Sequence, residues 1–182
     1  MNETVQKWDE LSLLRKIVAI GGIDAHAHKV NLLGLFEVEV FPYKVLFKSI
    51  RTHILMREKI EIRNSPREIQ FAVKNLLASL EAGCCFVAND YIYDSRGFRF
   101  WAEAGSNVYE MGDKIAAAGK VNLYVEVPAD TPQVRIIRNG TMIGMFEKKS
   151  FILEVDEPGI YRVEVYLHNK AWIFSNHIRF GI

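Results

Sequence analysis

The sequence has only two cysteines, five prolines and no excess of either charge. The cysteines, Cys84 and Cys85, are neighbours; vicinal pairs rarely form a structural disulfide, so a disulfide-stapled secreted fold is excluded. They sit in CCFVAN, which reads as a buried strand rather than a redox or metal site. Twenty-three Lys and Arg stand against 22 Asp and Glu, a formal charge of +1, so no global field points to nucleic acid or an anionic membrane surface. Long apolar runs are missing too: IVAIGGI is far shorter than the roughly 20 residues that span a bilayer. The opening MNETVQKWDELSLLRK is polar and of mixed charge, unlike a secretory signal. The expectation is a soluble, cytoplasmic protein with no membrane partner. No internal repeat or low-complexity tract is visible.

What is there is ample material for a core: 182 residues, 49% hydrophobic and 12% aromatic, enough for one ordinary domain or two small ones. The first ninety residues alternate helix-like and strand-like segments. Thr4 can cap a helix with Val5, Trp8 and Leu11 on one face, and KIVAI reads as a short buried strand ended by Gly21 and Gly22. Pro42 precedes Tyr43, Leu46, Phe47 and Ile50 at helical spacing, and THILM follows as a strand. The clearest helix is SPREIQFAVKNLLASLEAG. Ser65 is its N-cap, Pro66 its first residue, Glu68 closes a capping box and Gly83 stops it. Ile69, Ala72, Val73, Leu76, Leu77 and Leu80 form its apolar stripe. This is the pattern of an α/β layer.

From about Gly97 the period changes to two. VNLYVEV alternates inward Val121, Leu123, Val125 and Val127 with outward Asn122, Tyr124 and Glu126. Asn139-Gly140 suits a type I′ hairpin turn. FILEV, IYRVEVYLH and AWIF continue the series, with turns at DEPG and HNK. About seven short strands without an intervening helix predict an antiparallel sandwich, and Tyr161, just after an Asp-x-x-Gly turn, has the placement of a tyrosine corner in an immunoglobulin-like domain. The boundary falls in NDYIYDSRGF, giving units 1–93 and 94–182.

The chemistry concentrates in GGIDAHAHKV. On a strand, side chains at i and i+2 leave the same face about 6.5 Å apart, so Asp24 and His26, or His26 and His28, can converge on one ion. Carboxylate with imidazole suits Zn, Mn or Fe, and the C-terminal end of a buried strand is where α/β enzymes place their chemistry. Other candidates read more plainly. Glu37 and Glu39 alternate with apolar residues and face solvent on a strand. His53 reads as a hydrogen-bonded histidine, and Asn89, Asp90 and Asp94 as turn formers that could line a site's mouth. His168 and His177 read as surface residues. Lys44, Lys48, Arg51, Arg57, Lys59, Arg63 and Arg67 crowd 24 positions, but without interleaved aromatics or a nucleic-acid motif they read as a solvated face.

Two resemblances compete for GIDAHAH. It is similar to the first HxH motif of the amidohydrolase superfamily, which would make His26 and His28 the ligands, but such a barrel needs a few hundred further residues. AIGGIDAH more closely resembles the last metal motif, G-[ST]-D-x-H, of a polymerase and histidinol phosphatase (PHP) domain in the carbaryl-esterase-like branch, with Ile23 where Ser or Thr is usual. FPYKVLFKSIRTHILM, GCCFVANDYIYDSRGFRFWAE, PGIYRVEVY and WIFSNHIRF extend the resemblance over nearly the whole chain. It implies the closing segment of a PHP-type (β/α) barrel followed by an immunoglobulin-like β-sandwich, with Asp24 and His26 as ligands of a divalent metal cluster. His28 lies outside the family motif. The family's earlier motifs have no counterpart here, so the resemblance implies the C-terminal portion of a metal-dependent phosphoesterase-type hydrolase, inactive alone. The intact enzyme would act on a small phosphate or carboxyl ester. The other expectation is a non-catalytic binding or assembly module built on the sandwich. A truncated barrel would leave sheet edges and helix faces uncovered, which predicts a homo-oligomer.

Overall fold

Local chemistry sets the elements, and long-range pairing decides which of their faces are covered. The computed structural model describes residues 3–32, 34, 36–56, 58, 59, 65–116 and 119–182. Helix α1 (Glu3–Leu14) leads through an extended segment into the hairpin strands β1 (His28–Leu32) and β2 (Phe36–Val40). The single-turn helix α2 (Tyr43–Leu46), strand β3 (Ile50–Ile54), helix α3 (Pro66–Ala82) and strand β4 (Cys85–Asn89) follow. Strands β5 (Arg99–Ala104), β6 (Asn107–Glu110), β7 (Lys114–Ile115), β8 (Val121–Glu126) and β9 (Gln133–Arg138) come next. Strands β10 (Thr141–Phe146), β11 (Ser150–Val155), β12 (Gly159–Leu167), β13 (Lys170–Ser175) and β14 (Ile178–Phe180) complete the chain.

The fold is mostly β. One sheet runs β10-β9-β12-β13-β4-β3, with β14 on β12 and β7 on β14; a second runs β11-β8-β5-β6; β1 and β2 pair only with each other. Among the described residues every pairing is antiparallel except β14 with β7, and no closed barrel forms. The two large sheets share one core. Phe100, Ala102, Leu123 and Val125 of the smaller sheet and Phe86, Ile136, Val163 and Trp172 of the larger belong to one buried cluster. The period-two reading of residues 121–127 holds, with Val121, Leu123, Val125 and Val127 all buried. Asn139 and Gly140 both take positive φ (51° and 81°), as a two-residue hairpin between Arg138 and Thr141 needs. The Tyr161 hydroxyl donates to the Glu157 carbonyl four residues upstream, the contact of a tyrosine corner.

Strands β3 and β4 lie before residue 94, yet they extend the same sheet as β13: Phe174 sits opposite Val87 and Thr52 opposite Val87 on its other side. The sheet therefore runs across the expected boundary between 93 and 94. KIVAI is extended but enters no strand ladder; side chains, not a neighbouring strand, hold it. The expected strand THILM begins two residues earlier, at Ile50.

Helix α3 has the expected ends. Ser65 accepts from the Glu68 amide, the capping box is reciprocal, and Gly83 takes a left-handed φ of 75°. Its stripe is placed differently. The buried residues are Ala72 and Ser79, while Ile69, Val73, Leu76 and Leu77 are 41% to 52% exposed. The helix packs through small residues and turns its apolar side outward. The β1–β2 hairpin does the same. Its register sets Val30 opposite Val38 and Leu32 opposite Phe36, with Lys29 opposite Glu39 and Asn31 opposite Glu37. Since alternate residues share a face, one side of the ribbon is apolar and the other charged. Both are open to solvent, Val30, Leu32, Phe36 and Val38 by 42% to 71%.

Candidate functional site

Residues 16–21 are fastened to the sheet by side chains. The Asn176 carboxamide, itself buried, accepts from the Ala19 amide at 2.7 Å and donates to the Ala19 and Cys85 carbonyls at 3.0 and 2.9 Å. The Gly21 amide donates to Thr52 Oγ1 at 2.9 Å. A Cβ at Gly21 would stand 2.8 Å from both Ile50 Cγ2 and Val87 Cγ1, so only glycine lets the chain lie this close to β3 and β4. Beyond this anchor the chain turns outward, with Asp24 at a φ of 44°, a conformation Asp tolerates better than most residues.

The structure brings Asp24 and His26 together. His26 Nε2 lies 3.1 Å from Asp24 Oδ1, and the two side chains are 65% and 96% exposed. The His26 and His28 rings are 5.9 Å apart and nearly stacked, His28 opening β1 opposite Val40. An exposed carboxylate touching an imidazole is a donor pair of the kind that takes Zn, Mn or Fe. Among the described residues no group of three His, Cys, Asp or Glu side chains is placed to hold a metal ion.

A second polar cluster lies elsewhere. His53 Nε2 is 2.9 Å from Asp90 Oδ2 and 3.0 Å from Ser95 Oγ, which donates to Asp90 Oδ1 at 2.6 Å. Arg51 reaches Asp90 at 3.3 Å. Arg51, His53, Asp90, Asp94 and Arg96 line a cleft of about 350 Å³, with Ser95 buried beneath it. The His53 ring stacks on Phe86 at 4.8 Å, inside the sandwich core, whereas Gly21 touches its neighbour Thr52. Adjacent strand residues leave opposite faces, so this cleft and the anchored Gly21 lie on opposite sides of the sheet. Both Asp90 and Ser95 address the same ring nitrogen, so no nucleophile–base–orienter relay is formed. Turn chemistry accounts for the rest: Asn89 Oδ1 accepts from the Tyr91 amide, and Asp94 Oδ1 from the Arg96 amide. The Arg96 guanidinium, then its backbone amide, hold the exposed Asp94 carboxyl down to about 2.

The chain matches no family model, no curated protein and no solved structure. Its site is therefore described by its own residues.

Of the remaining candidates, Glu37, Glu39 and His168 are exposed as expected. His177 is not on the surface. It is 6% exposed and its Nε2 lies 2.9 Å from Asp9 Oδ1, because α1 covers that end of β12. Arg162, fully buried, makes a two-pronged contact with Asp9, 2.7 Å on each side, and a third to Glu164 at 2.7 Å. Trp8 covers both, its ring 4.3 Å from His177 and 5.3 Å from the Arg162 guanidinium. Asp9 and Ser12, not Val5 or Leu11, are thus the most buried residues of α1. Burial would raise the Asp9 carboxyl, but hydrogen bonds and charge from Arg162 and His177 outweigh it and hold the group below its ordinary value. Burial pushes His177 below its ordinary value despite Asp9. The signal available in the sequence was the pair Arg162 and Glu164 within an otherwise apolar strand, which demands a covering partner. Arg57 and Arg63 of the basic run lie outside the described residues; Lys44, Lys48 and Arg67 are exposed.

Proposed function

We propose that the chain is the C-terminal portion of a PHP-type metal-dependent hydrolase, with Asp24 and His26 contributing to its metal centre. The supporting observation is the 3.1 Å contact between these two exposed side chains, immediately beyond a segment locked to the sheet by Asn176 and Thr52. Anchoring on one side and exposure on the other suit donors that face a space to be filled. His28, beside His26, is the third candidate. A bound divalent metal would supply a Lewis acid and a hydroxide nucleophile for a small phosphate or carboxyl ester. The chain's own part is to hold the Asp24 carboxylate against the His26 imidazole so that each fixes the other's orientation. A catalytic site ordinarily uses three protein ligands and an open position, so hydrolysis needs donors beyond the Asp24–His26 pair. The two large sheets are read as an immunoglobulin-like sandwich, a reading supported by their shared core and the Tyr161–Glu157 contact.

The test is a titration with Zn²⁺ and with Mn²⁺ followed by NMR of the histidine side chains. His26 and then His28 should shift or broaden at sub-stoichiometric metal while His53, His168 and His177 do not, and Asp24→Ala should weaken the effect at least about tenfold. Unperturbed His26 signals, or an identical titration in Asp24→Ala, would overturn the reading.

A further inference from the structure

The cleft beside His53 is lined by two guanidinium groups, two carboxylates and an imidazole, and their hydrogen bonds decide which of them are left for a ligand. Ser95 has one hydroxyl proton and gives it to Asp90 Oδ1 at 2.6 Å. His53 Nε2 therefore meets a carboxylate oxygen at 2.9 Å and a hydroxyl lone pair at 3.0 Å. Both are acceptors, so Nε2 carries the proton, and in the neutral ring the lone pair belongs to Nδ1. That nitrogen has no partner among the described residues. Phe86 stacks on the ring within 5° of parallel, which fixes the acceptor in place. The guanidinium groups are also only partly used. Arg51 spends Nε on the Phe47 carbonyl and Nη1 on Asp90, and Arg96 spends Nε and Nη2 on Asp94. Arg51 Nη2 and Arg96 Nη1 keep donors without a partner among the described residues.

Two guanidinium groups against two carboxylates leave the cleft without net charge while His53 is neutral, so an ion must be held there by directed hydrogen bonds. A metal ion would meet the guanidinium groups. A fully ionised anion would meet the Nδ1 lone pair and the half-exposed Asp94. Donors set beside an acceptor suit an oxyanion that keeps a hydroxyl proton. We infer that this cleft binds inorganic phosphate in its protonated forms: phosphate oxygens accept from Arg51 Nη2 and Arg96 Nη1, and the P–OH group donates to His53 Nδ1. About 350 Å³ has room for the ion and a few bridging waters. Selectivity follows from the proton. Sulfate has the shape of phosphate but no proton near neutral pH, so it leaves the acceptor unpaired. The cleft lies across β3 from the anchored Gly21, and its ligand does not depend on the metal reading.

The test uses the full chain without added metal. Long-range ¹H–¹⁵N spectra of the histidines should show His53 protonated on Nε2. Titration with sodium phosphate at about pH 7 and constant ionic strength should move the His53 signals with a millimolar dissociation constant, leaving those of His26 and His28 in place. Sulfate under the same conditions should bind at least about tenfold more weakly. Arg51→Gln and Arg96→Gln should each weaken phosphate at least about fivefold, while Lys120→Gln, an exposed cation on another strand edge, changes it less than about twofold. Near-UV circular dichroism from buried Trp172, whose indole donates to the Tyr93 carbonyl, verifies that each variant is folded; the comparison of phosphate with sulfate needs no variant. A proton on Nδ1, unmoved His53 signals, sulfate bound as tightly as phosphate, shifts shared equally with His26 and His28, or wild-type affinity in both folded arginine variants would each overturn the inference.

Discussion

Residues 85–180 and residues 16–77 treat apolar side chains in opposite ways. In the first region the alternation of the strands delivers Leu123, Val125, Ile136 and Val163 to a core where each is 1% exposed or less. In the second, equally regular patterns in the hairpin and α3 deliver Val38, Phe36, Leu76 and Leu77 to the solvent. Amphipathicity specifies which face is to be buried, not that anything is there to bury it. Among the described residues the first region encloses a core while leaving Val108, Met142, Met145 and Ile152 open at its edges; the second leaves the apolar faces of its hairpin and of α3 open.

The sharpest way to break the first region is through the buried charge cluster that joins α1 to it. Asp9→Ala strands the Arg162 guanidinium with only Glu164 for company, and should cost about 3–5 kcal/mol of unfolding free energy in urea. The same cluster sets a pH dependence. Asp9 is held below its ordinary value, so its contribution is present above the unfolded carboxyl pKa of 3.8 and fades as pH falls through the folded value. His177, also depressed, binds its proton more readily when unfolded, so stability already declines as pH drops below 6.5. Urea midpoints should therefore fall below pH 6.5 through His177 and fall again below about pH 4 through Asp9, and Asp9→Asn should flatten the second fall.

Next in size, Leu123→Ala, at a fully buried position, should cost about 3 kcal/mol. Gly21→Ala should cost about 1–3 kcal/mol, because the new methyl must displace Ile50 and Val87; hydrogen exchange at Ala19 and Gly21 would report loosening of the segment that carries Asp24. Ser65→Ala removes the α3 cap for about 1 kcal/mol. At the small end, Leu77→Ala, measured dilute enough to avoid association, should change stability by less than about 0.5 kcal/mol. Equal costs for Leu123→Ala and Leu77→Ala would abolish the distinction between the regions.

What could be read from the sequence followed how local its cause is. The α3 cap, the Asn139-Gly140 turn and the alternation of residues 121–127 each depend on a few neighbouring residues, and all three stand. Asp24 and His26 are close in a segment outside any strand, with Asp24 at a φ of 44°, not through the strand geometry their spacing suggested. The joining of β4 to β13 pairs residues 87 positions apart, as Val87 with Phe174, and nothing in the period of either strand announces it. Asp9 and Arg162, separated by 153 positions, were each plausible surface residues until the fold put them in contact. KIVAI has the composition of a strand, but the Ala19 amide and carbonyl go to the Asn176 carboxamide and the Ile17 carbonyl accepts from Trp8 Nε1, a choice set by tertiary neighbours.

The meeting of Gly83 and Gly112 gives α3 a mechanical character. A Cβ at Gly112 would stand 1.8 Å from the Ala82 carbonyl oxygen and 2.8 Å from the Gly83 carbonyl carbon, so the helix end rests directly on the backbone of the β6–β7 turn. Seventeen residues extend about 25 Å from that bearing, with Ser79 and Ala72 as further buried points of support along it. A methyl group at Gly112 would push on the root and tilt the helix against those supports, so its cost would be shared along the whole contact and not confined to one turn.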